Sequence, residues 1–369
     1  MYATTTPSFD LQIVDFCKRA FARASRAGAP SVAGAFDAVA RLAFQRRQAL
    51  RRSAAAREGC SVPPILIASV TRRCNLDCAG CYSKALRPDS GPSAELSDAR
   101  FLELFREAID LGVGAILVAG GEPLLRRQLL ERTAGLGGLA APVFTNGTLV
   151  DQGWIELFSA GSLVPVFSIE GGAELTAARR GLGVHEAILE AAARLRERRA
   201  LFGLSVTVTS RNFDAVLSPS FLEGVDRLGA SALFLVEYVP ALRGTEELAL
   251  GPELHAALAG DRRLEGLPYP VLRLPGDEEA SGGCMAAGRG FIHLASDGSL
   301  EACPFAPWSD SSAARTSLAE ALESPLMRAI RERHGELTEA GGGCSLRDRG
   351  GWIASLQGCA AGMEKAGAA

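Results

Sequence analysis

No apolar run in this 369-residue chain approaches the ~20 residues that a membrane-spanning helix needs; Ile65 to Val70 and Ala115 to Ala119 are among the longest. The chain is therefore not expected to span a bilayer. Charge of one sign is also lacking. With 39 basic and 42 acidic residues the net charge is −3, which gives the whole molecule no electrostatic footprint for nucleic acid. Histidine is scarce, and His185, His255, His293 and His334 stand at no metal-ligand spacing, so a satisfied or solvated imidazole is the reading for each. The opening Met1-Tyr-Ala-Thr-Thr-Thr-Pro holds no apolar signal stretch. Together with nine cysteines, it leads us to expect a reducing, cytoplasmic compartment, where thiols serve metals or redox work rather than disulfides.

The length exceeds what one core usually holds, roughly 250–300 residues, so two or more structural units are expected. Residues 1–62 read as an N-terminal helical basic arm, Ala-rich from Phe9 to Arg57, with Arg41, Arg46, Arg47, Arg51, Arg52 and Arg57 among Leu42, Ala43, Phe44 and Leu50. Such an arm docks on an acidic partner, a phosphorylated ligand or a membrane surface, giving peripheral membrane contact. The alternative, preferred here, is a solvated helix packed against the domain.

After Pro63-Pro64 short apolar runs alternate with helical patterns, the rhythm of a parallel sheet with crossover helices. The runs are Ile65–Ser69, Ala115–Ala119, Pro142–Thr145, Val164–Ser168, Leu204–Thr209 and Leu233–Glu237. Between them lie Asp98–Leu111, Gln152–Ala160, Val184–Arg199 and Pro219–Leu228. Six βα units fall short of a closed eightfold barrel. Residues 63–245 form this unit, and 246–369 are expected to form a second domain richer in Gly, Pro and cysteine. Gly112-x-Gly114 precedes a strand rather than following one, which rules out a dinucleotide loop.

The segment Thr71-Arg-Arg-Cys74-Asn-Leu-Asp-Cys78-Ala-Gly-Cys81-Tyr82 directly follows the first run, where strand C-termini of parallel sheets carry active sites. Clustered thiolates select zinc or iron–sulfur clusters. Structural zinc and electron-transfer cubanes normally take four ligands. Here the spacing is Cys-x3-Cys-x2-Cys, with no fourth ligand at a matching interval. This pattern resembles the signature of the radical S-adenosylmethionine (SAM) superfamily. The resemblance implies a [4Fe–4S] cluster on Cys74, Cys78 and Cys81, with one open iron that chelates SAM, and reductive SAM cleavage to a 5′-deoxyadenosyl radical that abstracts hydrogen. It further implies SAM contacts from Tyr82, from Gly120, Gly121 and Glu122, from Thr145 and Asn146, and from Ser168 and Glu170, although aspartate is commoner than Glu170. It implies the same of Arg180, which otherwise reads as a surface arginine. Tyr238, at the end of the sixth run, is positioned for adenine or substrate, or for a capping role.

Toward the C-terminus, Asp297-Gly298 is a hairpin signal between Phe291–Leu294 and Ser299–Ala302. The hairpin would bring Cys284 and Cys303 together. This stretch resembles the opening of the SPASM and Twitch extensions, which hold auxiliary [4Fe–4S] clusters. At most one such cluster is implied, with Cys344 as third ligand, because Gly341 to Gly343 allow close backbone approach, and Cys359 as fourth. Three ligands would leave an iron for substrate; four would suit electron transfer. Cys17 reads as a small buried hydrophobe, and Cys60 as a candidate hydrogen donor if it lines the cavity.

The resemblance thus implies an α/β fold, a partial (β/α)6 TIM-like barrel with a helical arm and a small C-terminal iron–sulfur domain. The expected substrate is a small molecule or lipid, and the expected partner an external electron donor of flavodoxin or ferredoxin type. A peptide-modifying maturase and a non-catalytic iron–sulfur electron carrier are the alternatives; the carrier would need a fully ligated first cluster.

Overall fold

The computed structural model describes residues 7–26, 32–86, 95–139, 141–274, 283–337, 344, 346–347 and 349–356. Its centre is one nine-stranded sheet: β1 (Ile65–Ser69), β2 (Ala115–Ala119), β3 (Ala141–Thr145), β4 (Leu163–Ile169), β5 (Gly203–Val208), β6 (Ala232–Glu237), β7 (Val271–Leu274), β8 (Phe291–Leu294) and β9 (Leu300–Glu301). The order is β7-β6-β5-β4-β3-β2-β1-β8-β9, curled into a half-barrel. Every neighbouring pair is parallel except β8 with β9.

Local chemistry sets the crossovers. The helix Asp98–Leu111 starts at Ser97, whose hydroxyl accepts from Arg100 N, and stops at Gly112, with φ of +116°. The helix Pro219–Leu228 uses the same grammar, with a Ser218 cap, proline in its first turn and left-handed Gly229. The two sheet faces bury different sets. Leu66, Ala68, Ile116 and Val118 belong to the main core with the helical layer, while Val166, Ala232 and Phe234 form a second cluster with Phe16, Phe144 and Leu272 on the concave face.

Two elements depart from the sequence pattern. The arm is two helices, Pro7–Arg26 and Val32–Arg57, and they cap the barrel floor, where chains enter the strands. Arg19 donates to the carbonyls of Glu265 and Leu267, Arg23 to Asp226, Arg41 to Gly161, Arg51 to Ile109 and Arg52 to Gly112. Phe16 reaches the Phe234 ring at 5.6 Å. Second, the sheet runs on past residue 245. Strand β7 adds beyond β6, and β8 pairs in parallel with β1, Ile67 opposite His293. Four-residue strands give too short a pattern to recognise, and β8 was legible only as half of a hairpin. Among the described residues no helix is long and apolar enough to cross a membrane.

Candidate active site

The loop with Cys74, Cys78 and Cys81 leaves β1 at the C-terminal mouth and is pinned by the turn after β2. Gly121 N donates to Thr71 O at 2.7 Å, and Glu122 N to Arg73 O at 2.8 Å. A side chain at Gly121 would collide with the backbone carbonyls of Arg73 and Arg72, so this close approach requires glycine. Glu95 Oε1 accepts from Thr71 Oγ1 and Arg72 N. Farther along, Ala79 N donates to Arg179 O, and Gly80, with φ of +67°, lies against the Tyr238 ring. Burial raises the Cys74 and Cys78 thiols above their ordinary range; neighbouring thiols add to this, while Arg180 and Arg179 pull Cys78 down. Among the described residues no three Cys, His, Asp or Glu side chains surround a single-ion position. Three soft thiols on one loop have the donor chemistry of an iron–sulfur cluster.

Around the loop stand the strand-end residues. Glu122 is buried; its Oε1 accepts from Leu124 N and Thr145 Oγ1, and its Oε2 from Asn146 N. Burial nonetheless raises its pKa. Asn146 bonds Asn75 within the cysteine loop, with its amide 4.0 Å from Cys74 Sγ. Ser168 is half-buried on β4. Glu170 Oε1 takes both Arg179 Nη1 and Arg180 Nη2 at 2.6 Å, and among the described residues the buried Oε2 has no hydrogen-bond partner. An orphaned carboxylate oxygen at a strand end, beside two guanidiniums, fits a ligand that presents hydroxyls. Arg180 and Glu170 are thus one unit rather than two separate contacts. Arg179, which also bonds Thr207, was missed because adjacent arginines cannot be ranked from sequence.

The C-terminal cysteines converge. Cys303 is raised well above the ordinary thiol range by its hydrogen bond with Cys344, by burial and by the charges of Cys344 and Cys284. Arg289 donates to Cys284 O. Cys359 lies outside the described residues. The two cysteine groups meet through rings: Tyr82, next to Cys81, packs edge-on against Phe305, two residues after Cys303, at 4.6 Å.

Tyr238 is buried, and its hydroxyl donates to Thr245 at 2.9 Å. Cys60 does not line this mouth. It precedes β1 on the floor side, near Glu323, Arg331 and Arg328, and burial lifts its pKa to about 11. Unforeseen is a buried chain of bonds on β1, β8 and β9: Ser69 Oγ to His293 Nε2 at 2.8 Å, and His293 Nδ1 to Glu301 Oε2 at 2.7 Å. The hairpin carried the signal, since a turn at Asp297-Gly298 sets His293 opposite Glu301.

Residues 68–212 match the family model described as the Radical SAM superfamily. The chain is 29% identical over 230 residues to the Fe-coproporphyrin III synthase of Methanosarcina barkeri, an alignment covering 59% of this chain and 57% of that protein. It is 28% identical over 279 residues to the AdoMet-dependent heme synthase of the same organism, covering 67% and 78%. The chain thus spans little more than half of the first relative. The structure of Streptococcus suis SuiB bound to S-adenosylmethionine superposes with a TM-score of 0.62 at 17% identity, over 79% of this chain and 72% of that one. That likeness is one of fold.

Proposed function

We propose that this chain is a radical SAM enzyme that binds SAM and a [4Fe–4S] cluster, a reading supported by the family match over residues 68–212, and that it abstracts hydrogen from a small organic molecule. Cys74, Cys78 and Cys81 hold the cluster. Glu122, Thr145 and Asn146 form one side of the SAM site, and Ser168, Glu170, Arg179 and Arg180 the other. Bound there, cluster and SAM supply reductive cleavage of a sulfonium C–S bond and a carbon radical strong enough to take hydrogen from an unactivated position. Tyr82, Gly120 and Gly121 shape the loop that carries them, and Tyr238 closes the mouth beside Gly80.

The observation that carries this reading is the three-thiol loop with the orphaned Glu170 Oε2 across the mouth. We infer a second [4Fe–4S] cluster on Cys284, Cys303 and Cys344, since Cys284 and Cys303 are buried and Cys303 hydrogen-bonds the half-buried Cys344. The Tyr82–Phe305 contact supports a joint active site for the two thiol groups, with residues 246–369 as the unit that supplies the second. Turnover requires an external electron donor. Among small molecules, tetrapyrrole carboxylates come first, because both relatives are named for tetrapyrrole synthesis.

The test is anaerobic: reconstituted protein, dithionite, SAM, and 5′-deoxyadenosine measured with and without Fe-coproporphyrin III. The expected result is slow basal formation, accelerated by substrate. Absence of 5′-deoxyadenosine with an assembled cluster overturns the catalytic reading. Basal formation indifferent to the porphyrin removes Fe-coproporphyrin III as the substrate while leaving the chemistry.

A further inference from the structure

At the barrel end opposite the cysteines, a cavity of about 450 Å³ lies between the two N-terminal helices and the floor. That size is in the range of small-ligand pockets and far beyond a packing void. Its walls come from Ile13 and Val14 of the first helix, Leu42 and Ala49 of the second, and Pro64 ahead of β1. Leu42, Gln45, Arg46, Ala49 and Arg52 share one helical face by spacing. The polar members of that face divide into two kinds. Gln45 and Arg52 are tied to the carbonyls of Gly114 and Gly112. Lys18 and Arg46 are exposed at the rim, and no ion pair or side-chain hydrogen bond engages either of them among the described residues. This separates them from Arg19, Arg23, Arg41 and Arg51, which all end on backbone carbonyls. One turn beyond Arg46, Leu50 is 65% exposed.

We propose that this cavity binds a single-chain amphiphile with an anionic head, its tail against Ile13, Val14, Leu42, Ala49 and Pro64 and its carboxylate or phosphate held by Lys18 and Arg46. Charge complementarity selects the occupant. An apolar molecule without a head group would leave two unneutralised cations at the rim, and a hydrophilic anion would leave the apolar walls uncovered. The site is independent of the cysteine mouth and of the reaction there.

Calorimetric titration of the 369-residue chain with sodium dodecanoate, below its micelle concentration, tests this without any cofactor. One dodecanoate per chain is expected, with dodecanol at least fivefold weaker. Lys18→Ala with Arg46→Ala should weaken dodecanoate at least tenfold. These exposed substitutions leave the packing intact, and Ala49→Trp should abolish binding by filling the cavity, provided circular dichroism matches the parent. No binding, or binding unchanged in both variants, overturns the proposal. So does binding only after residues 1–6 are deleted, which makes this chain itself the occupant. Flotation with phosphatidylglycerol vesicles without binding of monomeric dodecanoate also overturns it, since that marks a membrane surface rather than a ligand cavity.

Discussion

Replacing His293 with phenylalanine keeps most of the volume and removes both nitrogens from a site that is 0% exposed. The imidazole bridges Glu301 at 2.7 Å and Ser69 at 2.8 Å. A hydrogen bond to a charged group contributes roughly 1.5–3 kcal/mol, a neutral one about 1, and stranding a buried polar group costs a further 1–3 or so. The substitution should therefore destabilise the protein by about 3–5 kcal/mol, as when one partner of a buried pair is removed. The comparison that isolates the cause is His293→Phe with Glu301→Leu. With both polar side chains gone, no buried carboxylate is deprived of its imidazole partner, and the loss should fall to about 1–2 kcal/mol. Urea unfolding of the iron-free protein, followed by far-UV circular dichroism, measures both. A single variant within 1 kcal/mol of the parent, or a double variant costing as much as the single, would refute the reasoning. The bridge would then not be what joins β1, which leads to Cys74, to the hairpin that leads to Cys303.

Changing Cys74, Cys78 and Cys81 to alanine together should eliminate 5′-deoxyadenosine formation yet leave about four irons per chain by colorimetric assay, the content of one cubane; no residual iron removes the second cluster. Gly80→Ala would place a Cβ 2.5 Å from the Tyr238 hydroxyl at a positive φ, so cluster retention should fall several-fold, and partial recovery is expected in Gly80→Ala with Tyr238→Ala, where only the backbone strain of about 1 kcal/mol remains. Burial pushes Cys17 and Cys60 up to about 11, which makes both slow to alkylate at pH 8. Because the folded state favours the neutral thiol, the linked stability is complete below the unfolded thiol pKa and is lost as pH rises through about 11; urea midpoints that stay flat from pH 9 to 11 would contradict the assignment.

Much of the barrel was legible because its signals are local. Ile65–Ser69, Ala115–Ala119, Asp98–Leu111 and Pro219–Leu228 match the pattern end for end, since apolar runs, caps and glycine stops are written within a few residues of one another. The arm showed its helical period but not its break into two helices or its place under the floor. Of the arginines open to a docking reading, Arg41, Arg51 and Arg52 end on carbonyls more than 50 residues away in sequence.

Composition and spacing alone determined that three thiols follow a strand without a fourth ligand, because covalent spacing fixes which donors a short loop can offer. Only the tertiary structure decided which groups meet: Arg179 and Arg180 on one oxygen of Glu170, Tyr82 on Phe305, His293 between Ser69 and Glu301. Those pairings arise where the sheet brings β8 beside β1 and sets strand ends at one mouth. Parallel register across crossovers of this length depends on packing of the whole core, and no residue states it in its own neighbourhood.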